Sequence, residues 1–138
     1  MLNLPKLIGH RGVKNLAPEN TIESIKLAKK IGLDWIELDI KISKDLIPII
    51  FHDDTLERTT NGIGSIIEYA YKDLKKLDAG YFFYKQRTKI YIPSFEEIIL
   101  LSQNSNINLN IELKPSKGFE EKNVESIAKI LKQSQFFN

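Results

Sequence analysis

The sequence has no cysteine, and this absence excludes several kinds of chemistry at once. Without thiols the chain can form no disulfide, no thiolate zinc site and no cysteine nucleophile. Histidine is also scarce, because only His10 and His52 occur in the 138 residues. Any imidazole chemistry in this chain therefore has to use these two positions.

Excess charge and long apolar runs are missing as well. The net charge is only +2, and the lysines are spread along the chain rather than gathered into a basic block with aromatic residues, so nothing indicates a nucleic-acid partner. No apolar stretch is long enough to span a bilayer, and residues 1–6 do not have the pattern of a secretory signal. We therefore expect a cytoplasmic protein without a membrane span.

The apolar residues that are present predict an α/β fold. Strand-like runs cover residues 4–9, 36–42, 47–52 and 107–114, and an amphipathic helix follows Gly118. In chain order the elements read strand, helix, strand, strand, helix, strand, helix, which is typical of an α/β protein with a largely parallel sheet. A hydrophobic fraction of 42% over 138 residues is sufficient for one domain with its own core.

Two capping boxes predict where helices begin. Asn20 with Glu23, and Ser94 with Glu97, each place a glutamate three residues after a capping side chain, and apolar residues at helical spacing follow both pairs. Gly32 is placed to end the first of these helices.

The middle of the chain, residues 53–93, has the weakest pattern. Residues 58–64 are rich in glycine and in turn-forming side chains, and residues 71–77 favour a short helix. Four consecutive aromatic residues at 81–84 are predicted to cover one end of the core.

Alternating polar residues suggest a cluster of acids. Glu37 and Asp39 share one parity, so on a strand both carboxylates lie on the same face. Glu112 has the polar parity of the last predicted strand, and if the two strands are neighbours the three carboxylates converge. A hard divalent cation would relieve their repulsion, and oxygen ligands favour Mg²⁺ or Ca²⁺ over zinc. The same alternation also describes strands with one solvent-exposed face, with Lys114 acting only as the ion-pair partner of Glu112.

Both histidines come at the ends of predicted strands, next to charged residues. His10 precedes Arg11, and His52 precedes Asp53. Imidazole titrates near pH ~6.5, so a pair of histidines can act as acid and base at neutral pH. A guanidinium group can hold phosphate oxygens in two places, and Gly12 lets the backbone approach closely. A histidine at a strand end can equally be a packed or surface residue.

Five short motifs occur in a fixed order between residues 7 and 115. They are His10-Arg11-Gly12, Pro18-Glu19-Asn20-Thr21, Glu37-Leu38-Asp39, the run from His52 through Arg58-Thr59-Thr60 to Gly64, and Ile111-Glu112-Leu113-Lys114-Pro115. Each motif alone is short, but their order and spacing together resemble the glycerophosphodiester phosphodiesterase family.

This resemblance implies a fold and an activity. The family has the TIM, or (β/α)₈, barrel fold, and its members hydrolyse glycerophosphodiesters to glycerol 3-phosphate and an alcohol with the help of a divalent cation. The partner would then be a small-molecule phosphodiester. Related phospholipase C-like and sphingomyelinase D-like phosphodiesterases, which use paired histidines on the same barrel, are the alternatives.

The resemblance also implies roles for individual residues. Asn20 would brace the first loop, and residues 58–64 would begin a small insertion after the second strand. The implied catalytic and binding residues are Glu37, Asp39 and Glu112 for the metal, His10 and His52 for acid–base catalysis, and Arg11 and Lys114 for the substrate phosphate.

The length departs from the family pattern. A (β/α)₈ barrel typically takes about 250 residues, so we expect residues 1–138 to form a partial domain, truncated to about the first half of the barrel, without the C-terminal part that closes it. An open sheet leaves unpaired backbone groups on its edge strands, which would allow self-association. A non-catalytic fragment is therefore an alternative to an active enzyme.

Overall fold

The computed structural model describes residues 5–134, which form a three-stranded sheet with helices against one face. Strands β1, β2 and β3 lie in the order β2-β1-β3. No helix within residues 5–134 combines the length and the apolar character needed to cross a membrane. The bounds are β1 Trp35–Ile42, β2 Pro48–Ile50, β3 Asn108–Leu113, α1 Ile22–Lys30, α2 Tyr71–Leu74, α3 Tyr81–Tyr84, α4 Phe95–Ser105 and α5 Glu120–Gln133, with a 3₁₀ helix at Ile66–Glu68.

The sheet is mixed, which corrects the expectation of a largely parallel one. β1 and β3 are parallel, with Asp39 opposite Glu112, but β2 is antiparallel to β1. The connection at residues 43–47 is a hairpin link, and a parallel crossover needs a much longer segment. The strand expected at residues 4–9 is reduced to a single parallel bridge between Gly9 and Ile36, and residue 4 lies outside the described residues.

The apolar face of β1 builds the main core. Ile36, Leu38 and Ile40 are fully buried, and they pack against apolar side chains of α1, α4 and α5. The segment after β2 has a second, smaller core of its own, in which residues such as Leu56 and Leu74 are fully buried. The irregular segment at residues 53–93 is therefore held in place by packing rather than by long helices or strands.

The two predicted capping boxes have different outcomes. Ser94 and Glu97 form one at the start of α4 as expected. The cap of α1 is Thr21 rather than Asn20, because the Thr21 side chain accepts a hydrogen bond from the Ser24 backbone N–H. The amide of Asn20 is used elsewhere, since it binds Asp39.

The aromatic residues of α3 do not cover the core as expected. Their side chains are between 36% and 51% exposed, and they stack on one another edge to face in the pairs Tyr81–Phe82 and Phe83–Tyr84. Consecutive residues of a helix point in different directions, so four in a row cannot all face the interior.

Candidate active site

The polar face of β1 is buried, so its charged residues do not lie on a solvent-exposed face of the strand. Asp39 has no exposed surface, Lys41 is only 3% exposed, and Glu37 is largely covered. The loop between Gly9 and α1 lies beside this face and carries the first histidine and the first arginine. Gly12 in this loop donates a backbone hydrogen bond to the Glu37 carbonyl over 3.1 Å.

Three carboxylates converge, as the alternating pattern predicts. Glu37, Asp39 and Glu112 each offer one oxygen, and these oxygens lie within 4.8 Å of one another. The pairing of Asp39 with Glu112 across β1 and β3 brings the strands' polar faces together. Burial raises the pKa of Glu37, and the negative charges of Asp39 and Glu112 raise it further, against the lowering effect of the hydrogen bond from the Arg11 backbone.

Glu112 lies in a different environment. Its side chain is 52% exposed, and Lys114 Nζ lies 2.6 Å from its Oε1. The hydrogen bond from Lys114 lowers the pKa of Glu112, and the positive charge of Arg11 contributes in the same direction. The ion pair between Glu112 and Lys114, which belonged to the alternative interpretation of this strand, is therefore present at the exposed side of the acid cluster.

The three acids fit a hard divalent cation. Within the described part of the chain, Glu37 Oε1 and Asp39 Oδ1 are buried and have no hydrogen-bond partner. A buried carboxylate oxygen without a partner is costly, and two of them in one cluster of negative charge need a cation nearby. An all-oxygen donor set suits Mg²⁺ or Ca²⁺.

The loop before α1 holds the two buried acids in place. Asn20 donates to Asp39 Oδ2 over 2.9 Å and accepts from the Asp39 backbone N–H over 3.3 Å. Arg11 donates its backbone N–H to Glu37 Oε2 over 3.0 Å, and its Nε lies 3.1 Å from Asp39 Oδ2. Both residues have positive φ, which bends the loop back over the strand.

The two histidines have different neighbours. His10 is about half exposed, and its Nε2 is 3.7 Å from Glu37 Oε2. His52 follows β2, and its Nδ1 is 2.5 Å from Asp53 Oδ1. His52 and Lys114 both line an open cleft of about 550 Å³. His10 is thus in contact with an acid of the cluster, and His52 shares a cleft with the lysine that binds Glu112.

Sequence reasoning missed a set of charged residues that connects these groups. Arg58 Nε lies 2.6 Å from Asp53 Oδ2, and Arg58 Nη2 lies 2.7 Å from Glu19 Oε1. The same Glu19 oxygen accepts from Arg11 Nη1 over 2.8 Å. The hydrogen bond from Arg58 lowers the pKa of Asp53 to about 2. The charged residues at positions 19, 53 and 58 all lie in the sequence motifs, which could have suggested ion pairs among them. The sequence did not show that these residues meet.

A buried lysine was also missed. Lys41 Nζ lies 2.6 Å from Asp54 Oδ1 and donates to the carbonyl of Lys114 over 3.0 Å. Asp54 accepts a further bond from the Ser116 hydroxyl. Lys41 therefore ties the segment after β2 to the segment after β3, and its position as the next polar-parity residue after Asp39 was the signal that could have revealed it.

The sequence profile of the Glycerophosphoryl diester phosphodiesterase family matches residues 10–135. The chain belongs to this family. A member from Bacillus altitudinis, a Glycerophosphodiester phosphodiesterase, is 41% identical over 129 residues, which cover 90% of this chain and 53% of that protein. The chain thus spans about half the length of this relative.

Solved structures of the family show the same fold. An Oleispira antarctica phosphodiesterase, in complex with the product sn-glycerol-3-phosphate, superposes with a TM-score of 0.91 at 43% identity, over 95% of this chain and 53% of that one. Glycerophosphodiester phosphodiesterase from Agrobacterium tumefaciens gives a TM-score of 0.81 at 31% identity, over 91% of this chain and 52% of that one. The open sheet and its helices therefore correspond to about half of the family's barrel.

We expect Gly12→Ala to destabilise the protein more than Gly118→Ala. Both glycines have φ near +80°, but a Cβ at Gly12 would lie 2.3 Å from Ser24 Oγ, whereas nothing lies within 4 Å of a Cβ at Gly118. The conformational cost alone is about 1–2 kcal/mol, and the clash adds to it only at Gly12. Thermal unfolding of both variants measures the difference, and equal losses would contradict the close packing described for this loop.

Proposed function

We propose that this chain carries the active-site half of a metal-dependent phosphodiesterase, which hydrolyses glycerophosphodiesters to glycerol 3-phosphate and an alcohol. The observation that carries the proposal is the convergence of Glu37, Asp39 and Glu112, with His10 in contact with one of these acids. Family membership supports it, and so does the related phosphodiesterase that binds sn-glycerol-3-phosphate.

In this proposal Glu37, Asp39 and Glu112 hold the cation, which is Mg²⁺ or Ca²⁺. The two buried oxygens without hydrogen-bond partners support this ligand set. When bound, such a cation neutralises the repulsion among the acids and polarises a phosphate oxygen of the substrate.

Arg11 and Lys114 would bind the non-bridging phosphate oxygens. Positive groups placed around the phosphorus stabilise the negative charge that grows there in the transition state. Arg11 is held by Glu19 and Asp39, so its guanidinium group is already oriented before substrate arrives. Lys114 is partly exposed beside Glu112 and can turn from this carboxylate to a phosphate.

The histidines would supply the acid–base chemistry. One takes a proton from the nucleophile, which is water or a neighbouring glycerol hydroxyl, and the other gives a proton to the leaving alkoxide. The contact of His52 Nδ1 with Asp53 leaves Nε2 of that ring available to the substrate. His10 already has its Nε2 directed at the acid cluster.

A second candidate follows from the edge of the sheet. β3 pairs only with β1 within the described residues, so its other edge is open. Two copies of the chain could associate through these edges and complete a barrel-like site. The other alternative is that the chain is a non-catalytic fragment. A phospholipase C-like or sphingomyelinase D-like activity is the alternative within enzymes.

The remaining expectations depend on the proposed substrate. A glycerophosphodiester and its product would place the protein in lipid and glycerol metabolism. A cytoplasmic location and a partial domain at residues 1–138 stay predictions.

We expect the chain to hydrolyse glycerophosphocholine in the presence of Mg²⁺ or Ca²⁺. His10→Ala and His52→Ala should each lower kcat by roughly 100-fold or more, because general acid–base catalysis contributes about 10²–10⁴-fold. Glycerol 3-phosphate release measures this, with Arg87→Ala, an exposed arginine, as the control. Release of choline from sphingomyelin would favour the sphingomyelinase D-like activity, and release of choline phosphate from phosphatidylcholine would favour the phospholipase C-like activity. Absence of turnover in the parent chain would contradict the enzyme proposal.

We expect Ca²⁺ or Mg²⁺ to bind the acid cluster and to raise the melting temperature. Asp39→Asn should weaken binding roughly 10-fold or more, since it removes a charge from a ligand set of three carboxylates. Isothermal titration calorimetry measures the affinity without any need for turnover. Glu121→Gln removes an exposed carboxylate on α5 and is the matched control. Equal affinity in the parent and in Asp39→Asn would place the cation elsewhere.

We expect the chain to self-associate through the open edge of β3. Asn110→Lys should weaken this association because a lysine on an edge strand discourages pairing with another strand. Sedimentation velocity measures it, with Gln103→Lys, exposed on α4, as the control. A parent chain that sediments as a monomer at every concentration would contradict the paired half-barrel.

A further inference from the structure

Five charged or titratable side chains form one continuous series across the site. The four charged members alternate in sign, His52 stands at one end, and every neighbouring pair is in contact at 2.5–2.9 Å. We refer to this series as the ion-pair chain. In order it consists of His52, Asp53, Arg58, Glu19 and Arg11.

Arg58 is the middle of the ion-pair chain and makes four hydrogen bonds. Its Nε and Nη2 bind the two oxygens of Asp53 over 2.6 and 2.9 Å, and its Nη1 and Nη2 bind the two oxygens of Glu19 over 2.9 and 2.7 Å. Such two-point contacts fix orientation as well as distance. Asp53 and Arg58 both belong to the segment after β2, whereas Glu19 lies 39 positions from Arg58. The contact with Glu19 therefore joins this segment to the loop before α1.

We propose that Arg58 is a positioning residue that sets His52 through Asp53 and Arg11 through Glu19. The position of Arg58 in the motif at residues 58–64 does not by itself predict this role. The proposal rests on the proposed function for its kinetic consequences, but its structural consequence at His52 stands by itself.

The structural consequence is the tautomer of His52. Asp53 is ionised at neutral pH because the hydrogen bond from Arg58 lowers its pKa to about 2, so its carboxylate can only accept hydrogen bonds. The 2.5 Å contact with Nδ1 then requires the proton of the neutral ring to be on Nδ1. Nε2 is left with its lone pair and can accept a proton. Arg58 occupies both Asp53 oxygens and prevents the carboxylate from rotating away.

The other end of the ion-pair chain acts on phosphate binding. Glu19 Oε1 accepts from both Arg58 and Arg11. Burial by itself would raise the pKa of Glu19, but the hydrogen bonds from Arg58 and Arg11 lower it overall, so Glu19 is ionised at neutral pH. An ionised Glu19 held by Arg58 anchors the Arg11 guanidinium group at one point, and Asp39 contacts it at another.

The two ends predict different kinetic effects. Asp53→Asn should lower kcat roughly 10- to 100-fold with KM within about threefold, since it removes the carboxylate that orients His52 while Glu19 still holds Arg58 and Arg11. Glu19→Gln should raise KM roughly three- to tenfold with a smaller effect on kcat, since it loosens the phosphate-binding arginine. Arg58→Ala should both lower kcat and raise KM, and Arg58→Lys should restore part of the lost activity. Asp73→Asn and Arg87→Ala are exposed controls that should match the parent.

The test that is independent of turnover is the tautomer of His52, measured in long-range proton–nitrogen NMR correlation spectra of histidine-labelled protein. The chain has only two histidines, so a His10→Gln variant assigns both sets of signals. The parent should show the Nδ1–H tautomer for His52. Asp53→Asn should shift it towards Nε2–H, because the amide then presents a donor to Nδ1, and Arg58→Ala should give a mixture.

The possible results separate the two proposals. An unchanged His52 tautomer in Asp53→Asn and Arg58→Ala would overturn the positioning role, whether or not those variants lose activity or stability. If the parent chain has no phosphodiesterase activity but the tautomer shifts as expected, the proposed function fails and the positioning role is supported. Should Arg58→Ala not fold, the nearly isosteric Asp53→Asn decides the outcome.

Discussion

The parallel pairing of β1 with β3 creates an electrostatic problem that shapes the rest of the site. It places Asp39 opposite Glu112, and Glu37 joins them from the same face of β1. At separations of about 4–6 Å, three negative charges would repel by several kcal/mol at a protein-like dielectric constant. The positive groups around the cluster are therefore part of its stability. Arg11 and Lys114 are in direct contact with its acids.

These positive groups are held by further charges. Arg11 is fixed through Glu19 and Arg58, while Lys41 fixes the segment that carries Lys114. Taking a lysine out of water is costly unless it is paired, and Lys41 has a carboxylate and a backbone carbonyl as partners. The charges form a connected network in which most members have a partner. Within residues 5–134, the buried atoms Glu37 Oε1 and Asp39 Oδ1 have no hydrogen-bond partner, and this supports the proposed cation.

Local patterns predicted most of the helices and strands and the composition of the acid cluster, although the strand expected at residues 4–9 is only a single bridge at Gly9. The parity of residues in β1 and β3 placed the three acids on matching faces, and Ser94 with Glu97 correctly marked the start of α4. Local patterns failed where a side chain binds a residue that is distant in the sequence. Asn20 has the sequence position of a helix cap, but its amide binds Asp39, so Thr21 takes over the cap. The antiparallel direction of β2 also departs from the largely parallel sheet that was expected, because the link at residues 43–47 is too short for a parallel crossover.

By itself, the sequence determined the α/β class, the main apolar core on β1 and the identity of the residues that meet at the acid cluster. The reason is that the alternation of side chains along a strand and the spacing of apolar residues along a helix depend on residues close together in the sequence. The tertiary structure alone decided that the polar face of β1 is buried, and that Asp53, Arg58 and Glu19 join one histidine to the arginine beside the acids. These contacts link residues from separate loops, and the order of residues along a chain does not specify which loops will touch.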